Sequence, residues 1–393
     1  MTTTRSSKCT TKPGLYLAFE LSFGRWKLAF TIGLGQSARI RTIRARDLDG
    51  LMREIAKAKK RFSLPDDAPV FSCYEAGPDG FWLHRWLTAQ GVANSVVDSS
   101  SIEVPRRKRR AKSDRLDASK LVTMLIRYLG GEKKVWSVVH VPTVADENAR
   151  HLHRELQELK DERTAHSNCI KGLLVSQGLS LAAVDPSFPD WLPRARLCDG
   201  SALGADLQQR LLREYQRWQL VNEQILGLEK ERRRRIRDDQ TPHVDKVRRL
   251  LELCGIGVNG AWLLVFELFA WRKFQNRKQV GAIMGLTPTP YASGESSHEQ
   301  GVSKAGNRRL RKLMVELAWC WLRWQPHSAL THWFWRRFGK GGRRARKIGV
   351  VAVARKLLIA LWKYLERGEI PAGAQLGSWR AKVGSKRGQR AVA

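Results

Sequence analysis

Apolar residues in the first third of the chain follow a strand pattern three times before any helical pattern begins. The segments LYLAFEL, WKLAFTIGL and ARIRTI, between residues 15 and 43, predict three strands joined by short turns. A helical pattern with Asp47 as its cap follows over 47–62, and strand and helix patterns then alternate up to residue 130. This order predicts a mixed α/β sheet over 15–135, because sheets and helices bury their apolar faces against one another in layers.

Two long amphipathic stretches follow the predicted sheet. Apolar residues recur at helical spacing over 144–178 and again over 203–237, and polar or charged residues fill the other positions. The pattern predicts a central antiparallel coiled coil over 144–240, with residues 185–200 as the connection at its tip. Such helices also suit a homo-oligomer, either a dimer or a tetramer.

Residues 244–370 predict a third, mainly helical domain. Helices frame the segment GIGVNG at 255–260, and two interpretations of it stay open. The glycines could bring backbone amides close to a phosphate, or they could form a tight turn that requires positive φ. Residues 1–14 are predicted to be a flexible tail and residues 371–393 a basic tail.

The charge of the chain narrows the choice of partners. It has 71 Lys and Arg residues against 37 Asp and Glu residues, which gives a formal net charge of +34. Nucleic acid is the favoured partner, because basic side chains release condensed counterions when they bind phosphates. A generic basic surface, as on ribosomal or membrane-surface proteins, is the alternative.

The N-terminal sequence and the cysteines restrict the cellular compartment of the protein. The N-terminal sequence MTTTRSSKCTTKPG is polar, unlike a signal peptide, and apolar stretches such as Ala261–Ala270 are too short to span a bilayer. The six cysteines are scattered without a CxxC pair, which argues against a zinc ribbon and fits thiols in a reducing compartment. These features predict a cytoplasmic protein that associates with no membrane.

Four acidic residues fall at positions suited to a metal site. Glu20 stands inside the first strand, Glu75 ends the strand VFSCYE, and Asp114 and Asp117 share one face at the start of a helix. Metal-assisted phosphodiester chemistry requires several hard oxygen ligands at one point, so we predict a site for Mg²⁺ or Mn²⁺. The alternatives are structural: Asp114 would favour the helix dipole, and Glu75 and Asp117 would form local salt bridges.

Two basic segments are predicted to hold nucleic acid. PRRKRRAK at 105–112 lies directly before the two aspartates, and GVSKAGNRRLRK begins as a Gly-rich loop and continues as a helix. A solvated loop is the alternative for the first segment. The residues predicted to contact the backbone are Arg106, Arg107, Lys108, Arg109, Arg110, Lys112, Lys304, Asn307, Arg308 and Arg309.

The order of several motifs resembles one family. KSDRLDASKL (112–121), CYEAGPDGFWLHRWL (73–87), LCGIGVNGAWLLVFEL, GLTPTPYASG and GVSKAGNRRLRKLM are similar to motifs of the DEDD-type insertion-sequence transposases, a group that includes Piv-like DNA invertases. The likeness covers residues 15–368. It implies an N-terminal RuvC-like domain with the RNase H fold and a C-terminal transposase domain.

The resemblance also implies site residues. The family's acidic tetrad falls on Glu20, Glu75, Asp114 and Asp117, and its catalytic serine falls on Ser293 in the loop YASG. Glu20 departs from the family, which usually has Asp there, and its longer side chain must satisfy the short bonds of ~2.0–2.1 Å that Mg²⁺ requires. From the residues alone, Ser293 is one of several loop serines, with no His at a triad-like spacing.

The reaction implied by the resemblance is transesterification. Ser293 would attack a DNA phosphate and hold it as phosphoserine, with the Mg²⁺ site assisting, and the strands would rejoin after exchange. The resemblance also implies a structured guide RNA that pairs with donor and target DNA. Two other functions stay open: a RuvC-like junction endonuclease that only hydrolyses DNA, and a non-catalytic nucleic-acid-binding protein.

Overall fold

The structure, a computed structural model, describes residues 14–102, 114–293, 296–303 and 306–384. Side chains are described for these residues except 100, 114–116 and 288–301. The chain divides into two units, residues 1–141 and residues 142–393.

The first unit contains the predicted mixed sheet. The elements are β1 (Leu15–Glu20), β2 (Arg25–Thr31), β3 (Arg39–Arg44), α1 (Leu48–Arg61), β4 (Val70–Glu75), α2 (Trp82–Ala89), β5 (Ala93–Val97) and α3 (Asp114–Leu129). The strands lie in the order β3-β2-β1-β4-β5. The pairs β3–β2 and β2–β1 are antiparallel, and the pairs β1–β4 and β4–β5 are parallel. The expected α/β sheet is therefore confirmed.

Helices cover both faces of this sheet. Side chains alternate along β1, so that Leu17 and Phe19 pack with α1 and α2 on one face, while Tyr16 and Ala18 pack with α3 on the other. The start of α1 follows the prediction, because the Asp47 side chain accepts a hydrogen bond of 2.8 Å from the Gly50 amide. The two apolar layers hold the sheet between helices.

The second unit is mainly helical within its described residues. A π-helical turn within these residues spans Val265–Phe269. The other elements are α4 (Val144–Asn148), α5 (His151–Val175), α6 (Phe188–Trp191), α7 (Ala205–Asp238), α8 (Pro242–Glu252), α9 (Val258–Leu264), α10 (Arg277–Ala282), β6 (Pro288–Ser293), β7 (Ser296–Val302), α11 (Arg308–Trp324), α12 (Ala329–Phe338), α13 (Arg343–Arg367) and α14 (Trp379–Gly384).

The two long helices α5 and α7 pack against each other in opposite directions. Lys160 pairs with Glu229 at 2.7 Å and His166 pairs with Glu214 at 2.6 Å, so the partner number falls as the number along α5 rises. The predicted helix 144–178 is in fact two helices, since Thr143 begins α4 with a capping box of its own. An antiparallel helix pair is present, and its supercoiling stays a prediction.

Arg232 is an unusual residue on the buried side of α7. It is only 4% exposed, and its Nε has no hydrogen-bond partner among the described residues. Burial lowers the pKa of the Arg232 guanidinium to about 10. Its attraction to Glu229 acts in the opposite direction but is smaller than the effect of burial, so the buried charge destabilises the fold.

We expect Arg232→Met to stabilise the helix pair by roughly 1–4 kcal/mol, the range for replacing buried charges with apolar side chains of similar volume. Hydrogen exchange of the α7 amides measures the change. Arg210→Met, at an exposed position of the same helix, is the matched control and should change stability by less than about 0.5 kcal/mol. Faster exchange in Arg232→Met than in the wild type would mean that the guanidinium stabilises the fold.

A buried ion pair joins α5 to the helical core. Glu267, in the π-helical turn, is 3% exposed and accepts hydrogen bonds of 2.8 Å from His153 Nε2 and 2.8 Å from Arg154 Nε. Burial alone raises the pKa of Glu267, but the hydrogen bonds from His153 and Arg154 outweigh burial and hold the pKa at about 2. Leu152 next to this pair belongs to the apolar core of α8 to α13.

The structure accounts for one glycine of the segment GIGVNG and places the segment after residue 370. Gly255, in the segment GIGVNG, has φ of +84°, and an added Cβ would lie 3.2 Å from the Cys320 carbonyl oxygen. The tight-turn interpretation therefore accounts for Gly255. The expected tail after residue 370 instead packs on the core as far as Gly384, because Lys382 Nζ donates to the Leu251 and Leu253 carbonyls at 2.6 and 2.8 Å.

None of the helices in the described ranges has both the length and the apolar character that crossing a membrane requires.

Candidate active site

Glu20 and Glu75 stand at adjoining ends of two parallel strands. The last registered pair between β1 and β4 is Phe19 with Tyr74, and the two glutamates are the next residue of each strand. Both therefore lie at the carboxyl edge of the sheet. The sequence pattern places Glu20 inside its strand, whereas Glu20 is the last residue of β1. Glu20 is half-buried and Glu75 is exposed.

Because side chains alternate between the two faces of a sheet, both glutamates also belong to the face that α3 covers. Ala18 and Cys73, two residues before them, belong to the apolar layer between the sheet and α3. The Cys73 thiol lies 3.8 Å from the Leu121 carbonyl oxygen of α3. The helix that carries the two aspartates thus packs on the face to which the glutamates belong.

The aspartates occupy the first turn of α3. Asp114 is its first residue, and its side chain lies outside the described part. Asp117 is half-buried and directly precedes Ala118, which is fully buried against the sheet. Among the described side chains, no three His, Cys, Asp or Glu residues gather as a metal-binding group. The four-carboxylate site stays a prediction, since it includes Asp114.

Ser293 is placed differently from the sequence expectation. It is the last residue of β6 and pairs with Ser296, the first residue of β7, in an antiparallel two-stranded sheet. The expected loop at Ser293 is therefore wrong: the serine ends a strand beside the connection between β6 and β7. Its side chain lies outside the described residues, and its role as a nucleophile stays a prediction.

The predicted nucleic-acid contacts divide into two groups. Arg308 and Arg309 are exposed at the start of α11, where Arg309 lies 3.6 Å from Glu158 of α5. Asn307 is the N-cap of that helix, and its Oδ1 accepts from the Arg309 and Leu310 amides at 2.9 and 3.2 Å. Asn307 therefore has a structural function of its own. Residues 106–112 and Lys304 lie outside the described residues.

The sequence analysis does not predict a second basic cluster. Lys230 and Arg233 lie on α7 beside a cavity, with Arg248 of α8 and Trp379 of α14 on its other side. The arginine run at 232–235 is the local signal, but only the fold shows which of its members face the cavity. The residues from α8 and α14 have no motif that could predict this grouping.

Comparison with known proteins places these features in context. Residues 247–332 match the profile described as Transposase IS116/IS110/IS902 family. A Sinorhizobium fredii protein provisionally named transposase y4rJ is 40% identical over 378 residues, which cover 92% of this chain and 94% of that protein. The Yersinia enterocolitica transposase for insertion sequence element IS1328 is 28% identical, over 58% of this chain and 66% of its own. The Coxiella burnetii transposase for insertion sequence element IS1111A is 25% identical, over 73% and 75% respectively.

Proposed function

Since the chain belongs to the IS116/IS110/IS902 family of transposases, we propose that it cuts and rejoins the DNA strands of an insertion sequence through a phosphoserine formed at Ser293. In this proposal, Glu20, Glu75, Asp114 and Asp117 hold a divalent cation beside the scissile phosphate. The proposal requires Ser293 and the carboxylates to act on the same phosphodiester, within one chain or across two chains.

The observation that carries the proposal is the position of the two glutamates. Glu20 and Glu75 follow a registered strand pair, at one edge of the sheet and on the face covered by α3. A metal site requires carboxylates at one edge and on one face of the sheet, whereas a role as surface charges does not. The helix that covers this face also carries Asp114 and Asp117 in its first turn. The strand order β3-β2-β1-β4-β5 supports the further proposal of an RNase H-like, RuvC-like domain.

The chemistry of these residues fits Mg²⁺ or Mn²⁺. All four groups are carboxylates, the hard oxygen ligands that these cations prefer, and a thiol or imidazole is absent from the set. When bound, the cation would withdraw electron density from the phosphoryl oxygens and so favour attack at phosphorus. Glu20 and Glu75 would orient it from the strand ends, and Asp117 would do so from the helix.

The covalent step is a balanced exchange of phosphate esters. Ser293 Oγ forms a bond to phosphorus, and the bond between phosphorus and one deoxyribose oxygen breaks. The serine hydroxyl loses its proton to the surrounding solvent, and the departing deoxyribose oxygen gains one. A deoxyribose hydroxyl of another strand then attacks the phosphoserine, which joins the strands and restores the serine without an energy cofactor.

The proposal includes partners that follow from the resemblance. DNA is the substrate, and a structured guide RNA pairs with its donor and target strands. The α5–α7 pair, as a coiled coil, is the proposed contact of a dimer or tetramer. The net charge of +34 supports binding of polyanions of either kind. The bacterial cytoplasm, at the nucleoid, is the proposed location.

Trapping the covalent intermediate tests the proposed function. The purified chain is incubated with the DNA ends of its own insertion sequence, RNA transcribed from that element and Mg²⁺, then denatured and digested for mass spectrometry. We expect a nucleotide adduct on Ser293 in Mg²⁺ and none after chelation by EDTA. Cut DNA free of protein would instead support the hydrolytic junction endonuclease, and an adduct on another residue would reject Ser293.

A further inference from the structure

The C-terminal half of α7 borders a cavity of about 1090 Å³ that takes no part in the proposed reaction. Its opposite side is formed by α8 and α14. The volume exceeds the range of ~300–1,000 Å³ that is usual for small-molecule sites. The cationic side chains that line it are Lys230, Arg233, Arg234, Arg237, Arg248 and Arg380.

The charge of this cavity is positive, although Arg234, Arg237 and Arg248 already have carboxylate partners. Its lining includes two carboxylates, and both already have cationic partners. Glu231 lies 2.8 Å from Arg234, and Glu229 lies 2.7 Å from Lys160 of α5. Lys230 and Arg233 have no ion pair within the described part of the chain. Their charges are available to an anion that enters the cavity.

An aromatic ring stands among these cations. The Arg248 and Arg380 guanidinium groups lie 5.3 and 5.2 Å from the centre of the Trp379 ring. Arg248 is itself held by α7, because it donates to the Ile236 and Asp239 carbonyls at 2.9 and 2.6 Å. The hydrogen bonds of Lys382 fix α14, so Trp379 occupies a defined position.

We propose that this cavity binds a single-stranded segment of nucleic acid, with phosphates on Lys230 and Arg233 and a base against Trp379 and Arg380. The α7 cations between 230 and 237 extend over about 10 Å of helix, which is longer than one phosphate group. Bases in a duplex are stacked on their neighbours, whereas a single strand can offer the face of a base to an aromatic ring or a guanidinium plane. The site is separate from Ser293 and the four carboxylates, so it goes beyond the proposed function.

Binding of labelled oligonucleotides tests the proposal. Fluorescence anisotropy is measured for a mixed-sequence DNA strand, an RNA strand of the same sequence and the corresponding duplex, over a range of salt concentrations. We expect Lys230→Ala/Arg233→Ala to weaken single-strand binding at least tenfold at low salt. The slope of log affinity against log salt should fall by about 1.4, because each phosphate contact of a single strand contributes ~0.7.

The matched control is Arg210→Ala/Arg213→Ala. These exposed residues lie on the same helix, about 30 Å away, and their removal lowers the net charge equally. The proposal requires a much smaller effect from this control than from the cavity variant. A loss for DNA, for RNA or for both supports the site and identifies its source of nucleic acid.

Three results would overturn the proposal. The cavity variant could bind single strands like the control, or it could lose duplex binding to the same extent as single-strand binding. Polyglutamate could also compete as well as the oligonucleotide, which would mean that the cavity recognises charge alone. Photocrosslinking of a thiouridine-containing strand to the wild type gives a check that requires no variant: crosslinks should fall on Trp379 or its neighbours, and crosslinks only elsewhere would reject the site.

Discussion

Replacing Ser293 with alanine is expected to abolish the covalent protein–DNA adduct and to slow strand cutting and joining by about three orders of magnitude or more. Alanine removes only the Oγ that would form the bond to phosphorus. The backbone pairing of residue 293 with residue 296 does not depend on the side chain. Cutting and joining of cognate DNA are measured together with binding, and binding should be unchanged.

Ser296→Ala is the matched control for this experiment. Ser296 is the backbone partner of Ser293 in the two-stranded sheet, so the same change is made at the paired position. It should retain adduct formation to within a few fold of the wild type. If Ser293→Ala kept full Mg²⁺-dependent cutting, the serine would not be the nucleophile, and the hydrolytic endonuclease would become the better description.

The sheet could be predicted because its signals are local. Each of β1, β2 and β4 carries a short apolar run between turn residues, and Asp47 is followed directly by the helix that it caps. The shared edge of Glu20 and Glu75 depends in addition on the parallel pairing of β1 with β4, which no local signal shows. Their convergence with Asp114 could not be predicted from the elements alone, since it depends on side-chain positions at the helix start.

The β6–β7 hairpin shows where local signals fail. Pro288 and Pro290 argue against a strand, because proline cannot donate to a sheet. In a two-stranded sheet, however, both strands are edge strands. A proline is tolerated at positions whose amide would point away from the partner strand, because no hydrogen bond to that strand is lost there. Asn307 is a second position at which the local sequence is ambiguous. A polar residue before a basic helix is equally typical of a DNA contact and of an N-cap, and the structure shows the cap.

Long-range groupings could not be predicted from the chain at all. His153 and Glu267 are 114 residues apart, and nothing in the sequence around either residue links the two. The cavity beside α7 likewise combines residues near 230, 248 and 380. Such contacts arise only when helices pack, and no spacing pattern records them.

The largest effect on stability is expected for Arg154→Met, which should destabilise the contact between α5 and the helical core by about 3 kcal/mol or more. Removing the cation that makes two hydrogen bonds to a buried carboxylate leaves much of its charge uncompensated. Glu267 would keep the hydrogen bond with His153 and its attraction to Arg150, but its bonds of 2.8 and 3.1 Å from Arg154 Nε and Nη2 are lost. Glu267→Gln should cost less, since the Arg154 side chain is 40% exposed and stays hydrated without its partner.

Hydrogen exchange of the amides at 262–270 measures this effect, and a loss of about 3 kcal/mol corresponds to roughly a hundredfold lower protection. Arg217→Met is the matched control. Its partner is Glu214, but its side chain is 61% exposed, so the loss should be at most about 1 kcal/mol. Equal losses in the two variants would mean that burial of Glu267 adds nothing to the strength of its ion pair.

The pH dependence gives the last check on this ion pair. The folded pKa of Glu267, about 2, lies below its ordinary value of 4.5. The unfolded state therefore binds the proton more readily, and the contribution of the carboxylate to stability is fully present above about pH 4.5 and lost as the pH falls towards 2. The difference between the wild type and Arg154→Met should shrink over the same interval, because a protonated Glu267 no longer requires a cation. A difference that stayed constant from neutral pH down to pH 2 would assign the loss to packing of the arginine side chain instead of to its charge.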